Sequence, residues 1–250
     1  MRVVRTIHSA WLLALLAVGL ASAQALTGPV LSPRGVLNAF TQQPAPSVGA
    51  PGGIIHINGL NLGPPGGVKA AGTPSPTQLG DPAIEVLLNG KPIPLLSADP
   101  ERIVAQVPWE AEAGLARVVV RRGGVESKPA RILINAVAPS VRSASDSGYG
   151  EVAGKLSGQV LSLSAFGLGP TQPRVNSGEP GPEDPPARPR LPVEAYVGGL
   201  PAKVTAAVSK DRVGEYEIRI QVPEGAQPGN VITLQAVSYT HLRAHETVLD

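Results

Sequence analysis

The chain repeats itself, and the repeat limits what it can fold into. QVPWEAEAGLARVVV at residues 106–120 returns as QVPEGAQPGNVITLQ at residues 221–235. Each copy is an alternating apolar run closed by Val-Pro, a short polar loop with a Gly eight residues after the Gln, and a second apolar run. Alternation at every second residue gives an extended chain one apolar and one polar face, and a proline without an N–H ends its ladder. The spacing therefore predicts two strands and a connecting turn in each copy, and two copies predict two structural units.

The same alternation marks the flanking segments. Ile55 and Ile57 alternate with His56 and Asn58, and Leu161 and Leu163 with Ser162 and Ser164. Ile103, Ala105 and Val107 match Ile218, Ile220 and Val222, which leaves Glu217, Arg219 and Gln221 facing water. Asn89-Gly90 and Gly198-Gly199 are pairs that tolerate positive φ at both centres of a tight hairpin turn, and each unit carries one. Ala116, Val118 and Val120 suggest one apolar face. Ile232, Leu234 and Ala236 fall on the opposite phase when the glycines are aligned, which a one-residue bulge or insertion accounts for. With 29 Gly and 27 Pro in 250 residues, short strands and many turns are favoured over long helices. The fold class that follows is all-β.

Punctuation divides the chain further. Arg2 and Arg5, an apolar run at residues 11–20 and Ala21-Ser22-Ala23 describe a secretory signal peptide over residues 1–23, against the alternatives of an uncleaved anchor or a buried helix. A lead-in at 24–34 precedes a first unit at 35–136, ending in a strand around residues 130–134. Residues 137–139 read as the link to a second unit at 137–236. Long loops at 64–82 and at 171–192, the latter with seven prolines, read as hydrated spacers. Residues 237–247, VSYTHLRAHET, break the strand pattern and resemble a translated transposon-type sequencing adapter. Residues 237–250 are accordingly expected to be an assembly artefact, leaving the second unit without its last strand.

Several chemistries have no foothold. Cysteine is absent, so neither a disulfide framework nor a thiolate metal site is available. With 21 basic against 19 acidic residues, the chain as a whole carries no electrostatic footprint for nucleic acid or an anionic membrane. No phosphate-binding glycine loop occurs, and Gly63 to Gly67 is turn chemistry. His8 lies in the leader, His241 and His245 lie in the suspect tail, and His56 reads as an exposed strand residue without a second His. The acidic pairs Asp99/Glu101, Glu110/Glu112, Glu183/Asp184 and Asp211/Glu215 read as solvated turn carboxylates rather than calcium ligands or glycosidase carboxylates. No catalytic residue, metal ligand or cofactor is expected.

Aromatic residues make up only 3% of the chain, and Trp109 with Tyr149, Tyr196 and Tyr216 is a thin set for stacking on sugars. Tyr216 falls on the core phase of its strand. Trp109 follows Pro108 at a strand end, where it either packs over the rim or meets a sugar or partner. Trp109 and Asn61, the latter in the turn after the His56 strand, are the candidate ligand contacts.

Ile57, Gly59, Asn61 and Leu62, followed by residues 86–90 and then Val107-Pro108, resemble the motif series of the IPT/TIG group of immunoglobulin-like domains. GLNLGP, VPWE and FGLGP are similar to an uncharacterised secreted-protein C-terminal tandem-domain family abundant in acidobacteria, over residues 35–236. The second copy departs from the motif, with Gly167 where the turn Asn stands. The resemblance implies two tandem Ig-like β-sandwiches of about seven strands each. It implies a secreted or cell-surface, non-catalytic protein for adhesion, spacing or partner binding, with a carbohydrate-binding accessory module as the alternative. Expected partners are an extracellular protein or glycan, with no nucleic acid and no stable membrane insertion after leader cleavage.

Overall fold

The computed structural model describes residues 28–42, 44, 47–145, 150–227, 229, 231–236 and 247–248. The leader, most of the lead-in and residues 237–246 of the tail lie outside the described residues, as does Tyr149. Among the described residues there is no helix long and apolar enough to cross a membrane.

The first unit is a sandwich of two sheets. In one, Val30–Asn38, Ile54–Leu60, Arg102–Gln106 and Leu95–Ala98 lie side by side in that order, with Val68–Lys69 at the far edge. In the other, the order is Ser47–Gly49, Ala130–Ile134, Gly114–Arg122, Ile84–Leu88 and Gln78–Leu79. Pairing is antiparallel throughout except where Ser47–Gly49 runs parallel to Ala130–Ile134. The chain thus switches sheets early, and the strand order is that of an immunoglobulin-like sandwich. Alternation makes the core: Ile55, Ile57, Ile103 and Ala105 from one sheet meet Val86, Val118, Val120 and Ile132 from the other, all buried. Asn89 and Gly90 have φ of 50° and 82°, the hairpin geometry that their side chains permit.

The second unit repeats the order with one change. Ser140–Val141 and Gly154–Ser157 pair with Val160–Phe166, followed by Tyr216–Gln221, Leu200–Val208, Val193–Val197 and Val231–Ala236. In the first unit, prolines at 92 and 94 break the chain after the hairpin into two short pieces, because a residue without N–H cannot bridge neighbours. In the second, LPAKVTAAV runs unbroken. Ala202 pairs with Ala195 in one sheet and Lys203 with Gln221 in the other, so the two faces join at this strand. The place of the first unit's final strand, five residues long, is taken by Thr247–Val248, which pairs with Val231 and Ile232 alone.

The phase conflict after the Val-Pro motif resolves in the loop. Equivalent residues are 115 apart at Gln106 and Gln221 but 114 apart at Val120 and Leu234, whose partners Val86 and Ala195 sit at the same hairpin position. One extra residue in the first unit's loop shifts the phase, and neither strand needs a bulge. Ile232, Leu234 and Ala236 are buried as Ala116, Val118 and Val120 are.

One loop expectation is overturned. Residues 171–192 form no loose spacer: Thr171–Gln172 pairs with Arg188–Pro189, and Val175 and Ala187 join the second core. Backbone bonds from Gly181 N to Ser209 O and from Val208 N to Ala187 O hold the loop down, 2.7 Å each. Proline removes donors, but the remaining N–H groups find acceptors on the sandwich rim. The link residue Val137 is likewise part of the second core, 1% exposed.

Candidate functional site

Among the described residues, the first core contains no aromatic side chain. Of the five described aromatic rings, four gather where the two units meet, and Tyr196 stands apart on Val193–Val197, its hydroxyl donating to Glu194 at 3.0 Å. Phe40, just after the first strand, stacks on Phe166 at the end of Val160–Phe166, with ring centroids 3.6 Å apart and planes 16° from parallel. Ile54 is buried against the pair, with Leu96 and Val104 packed around it, so the outer face of the first sheet is partly covered by the second unit. A few residues away, Trp109 meets Tyr216 edge-on at 6.1 Å. The edge-to-face contact stabilises beyond the area that it buries, and the near-parallel Phe stack buries one face of each ring.

Hydrogen bonds between the units close this seam. Gln106 is fully buried; its Nε2 donates to Gly52 O at 3.1 Å, and its Oε1 accepts from Gly178 N at 2.7 Å. Ser75 N donates to Gly178 O at 2.7 Å, so the 171–192 loop is held from two sides. Trp109 N donates to Ser177 Oγ at 2.8 Å, and that hydroxyl donates to Glu110 at 2.5 Å. The backbones also touch: a Cβ at Gly214 would run into the carbonyl oxygen of Gly52. The QVPWE segment of the first copy is therefore a plug seated in the second unit.

Trp109 thus sits half-buried against the second core, and its indole N–H is buried with no acceptor among the described residues. An indole held this way is an apolar wedge, not an open platform. Tyr216 is fully buried; its hydroxyl donates to Gly169 O at 2.7 Å, and burial pushes the phenol well above its ordinary range. Asn61 takes φ of 56°, donates to Gly28 O at 3.2 Å, and accepts from Arg122 at the end of Gly114–Arg122. Its amide ties the turn to two neighbouring segments. Gly167 occupies the equivalent turn with φ of 74°, so the position selects for left-handed backbone, which Gly and Asn supply.

Sequence reasoning missed Gln106, Phe40, Phe166 and Ser177. A signal was present in the repeat itself, because the copies diverge where one faces the seam. Gln221 and Glu224 are exposed where Gln106 and Trp109 are seated, and Leu60 is 59% exposed where Phe166 is 2% exposed.

Beside the stacked rings opens a cleft of about 770 Å³, lined by Phe40, His56, Arg102 and Ser75 of the first unit and by Arg142 and Arg212 of the second. His56 is half-buried here rather than exposed, because the second unit covers its strand face; its Nδ1 lies 3.5 Å from Gln42 Nε2. The acidic pairs serve turns and ion pairs. Asp99 accepts from the backbone of Glu101 and Arg102 at 2.8 Å each, and Glu183 pairs with Lys210 at 2.7 Å, which lowers the Glu183 carboxyl below its ordinary value. Among the described residues no three His, Cys, Asp or Glu side chains group as a metal site would require.

No family model matches the chain, and no curated protein matches it. Among solved structures, it is similar to the SGBP-B of a Bacteroides ovatus mixed-linkage glucan utilization locus, in complex with a mixed-linkage heptasaccharide. Identity there is 14% and TM-score 0.40, over 90% of this chain and 47% of that one. A gamma-CGTase from an alkalophilic Bacillus clarkii matches at 13% identity and TM-score 0.30, over 88% of this chain and 27% of that one. The I9–I11 tandem of titin matches at 8% identity and TM-score 0.20, over 82% and 61%. The chain spans about half the length of the first of these and about a quarter of the second.

Proposed function

We propose that this protein is a secreted or cell-surface, non-catalytic module that holds two Ig-like units in one orientation, for adhesion, spacing or partner binding. The observation that carries the reading is the buried Gln106 clasp between Gly52 and Gly178, flanked by the Phe40–Phe166 stack. A freely jointed pair of domains would leave such groups in water. The four rings of the seam and the Gln106 amide that an exposed binding platform there would need are used instead to fix the angle between the units. The signal-peptide pattern of residues 1–23 and the resemblance to IPT/TIG domains support placement outside the cytoplasm. The test is retention: the immobilised chain exposed to solubilised cell-envelope material is expected to hold a polymer or protein. Retention of neither counts against the proposal.

The second reading, a carbohydrate-binding accessory module, is favoured by the polar cleft beside the seam. Trp109 is a poor probe for it. Trp109→Ala is expected to loosen the seam, so loss of glycan-array binding in that variant would report on domain geometry rather than on sugar contact.

A further inference from the structure

Tyr196, the ring left out of the seam, lies on an outward face of the second unit. Its neighbours Ala195 and Val197 are buried in the second core, so alternation turns Tyr196 and Glu194 to the other side of their strand. Directly opposite Tyr196 stand Pro201 on one neighbouring strand and Thr233 on the other, and opposite Glu194 stands Gln235. Glu194 and Pro201 are exposed; Tyr196, Thr233 and Gln235 are half-buried. The Tyr196 hydroxyl donates to Glu194 two residues back on the same strand, at 3.0 Å. A ring whose tip reaches along its own strand lies down on the sheet, with one face on the strands and the other turned outward.

The first unit has the same frame without the opening. Glu85, Leu87 and Arg121 stand where Glu194, Tyr196 and Gln235 stand in the second, in the same pairings. In the first unit the carboxylate is taken, since Arg121 reaches Glu85 at 3.0 Å and Gln78, on the strand beside it, at 2.8 Å. Leu87 is 8% exposed. In the second unit an amide replaces the arginine, and among the described residues no strand pairs with Glu194 in the place of Gln78. The Glu194 carboxylate meets the Tyr196 hydroxyl and no cation among the described residues. The two copies thus diverge here as they do at the seam, from a closed apolar position to an outward ring beside an open carboxylate.

We infer that this face binds a neutral, β-linked glycan, with a pyranose ring seated on Tyr196 and Pro201. A pyranose with equatorial hydroxyls has bare C–H faces, and these settle on the electron-rich face of a phenol ring and on the flat proline beside it. The hydroxyls around the sugar's edge donate to Glu194 and exchange hydrogen bonds with Gln235 and Thr233. None of these five side chains is basic, and Glu194 brings a negative charge, so a carboxylated or phosphorylated chain is repelled. The bond from the Tyr196 hydroxyl to Glu194 fixes the ring before a ligand arrives, which lowers the ordering cost of binding.

The inference rests on the carbohydrate-binding reading for its ligand and puts the contact on this sheet, outside the cleft beside the seam. Its test is affinity electrophoresis of the full chain in gels cast with hydroxyethyl cellulose, a neutral β-linked glucose polymer, and with polygalacturonate, an anionic one. Hydroxyethyl cellulose is expected to retard the chain and polygalacturonate is not. Tyr196→Ala should weaken the retardation at least about tenfold, while Tyr196→Phe, which keeps the ring, should stay within about threefold of the wild type. Should the Ala variant misfold, the wild-type chain still gives an answer. Stacking on a neutral sugar is not screened, so retardation should change less than about twofold between dilute buffer and 1 M salt, where screening reaches about 3 Å. No retardation, equal retardation by polygalacturonate, or a fall of about tenfold in 1 M salt overturns the inference. Retardation that survives Tyr196→Ala in full, or an envelope glycan retained without any retardation by hydroxyethyl cellulose, overturns this site alone and leaves the carbohydrate-binding reading standing.

Discussion

Replacing Gln106 with Leu tests the clasp at its centre. The side chain is fully buried, and its two hydrogen bonds, 3.1 Å to Gly52 O and 2.7 Å from Gly178 N, are to groups that are themselves buried. Leu has a similar volume, so the change removes partners without opening a large cavity. It leaves one carbonyl and one amide unpaired away from water, each at about 1–3 kcal/mol. Burying the added apolar surface offsets part of this, and the expected loss is about 2–4 kcal/mol. The repeat supplies its own control. Gln221 occupies the same motif position and is exposed, and its side chain donates to the Gln159 amide oxygen at 3.2 Å. Gln221→Leu is expected to change stability by no more than about 0.5 kcal/mol. Urea unfolding of the two variants, compared at their midpoints with the wild-type slope, measures the difference. Equal losses in the two variants would refute the reasoning, because the argument depends on burial at one copy and exposure at the other.

Three further outcomes follow from the same geometry. A double-mutant cycle on Phe40→Ala and Phe166→Ala should give a coupling of about 0.5–1.5 kcal/mol; a coupling of zero would mean that the rings do not stack in solution. Gly214 and Gly199 both have positive φ, 76° and 80°, so an Ala at either pays about 1–2 kcal/mol of backbone strain. Only at Gly214 does the new Cβ meet the Gly52 carbonyl, while at Gly199 nothing lies within 4 Å, so Gly214→Ala should cost at least about 1 kcal/mol more, and equal costs would refute the close approach. Gln78 and then Arg121 hydrogen-bond the Glu85 carboxylate and hold its pKa below the ordinary 4.5. A depressed folded pKa adds stability that is complete above the unfolded value and is lost as pH falls through the folded one. Glu85→Gln should therefore flatten the acid limb of stability below about pH 4.5, as read from urea midpoints; an unchanged limb would refute the assignment.

Strands and hairpins were legible in the sequence because each is a local pattern. Ile55 and Ile57 against His56, the Asn89-Gly90 turn and the Val-Pro endings all carry their cause within a few residues. The seam was not legible in that way. His56 alternates with Ile55 and Ile57 as a half-exposed strand should, and nothing in that alternation says that Phe166, far along the chain, covers part of its face through Ile54. The 171–192 loop misled for a related reason. Its proline content argues against regular structure, but it does not argue against fixed structure when Ser177 and Gly178 find partners on the other unit. Comparing the two copies position by position would have shown the seam. A buried role in one copy and a solvent role in the other explains why Trp109 is matched by Glu224, and Phe166 by Leu60.

The central claim is that the two units move as one body. The absence of cysteine makes it directly measurable, since spin labels can be placed at two introduced thiols only. Leu115 and Leu156, 74% and 54% exposed and on different units, are suitable positions for Cys. Pulsed dipolar spectroscopy on the doubly labelled chain is predicted to give a single narrow distance distribution, which broadens when Gln106→Leu is added. A broad or multiply peaked distribution in the chain with Gln106 intact would contradict the account.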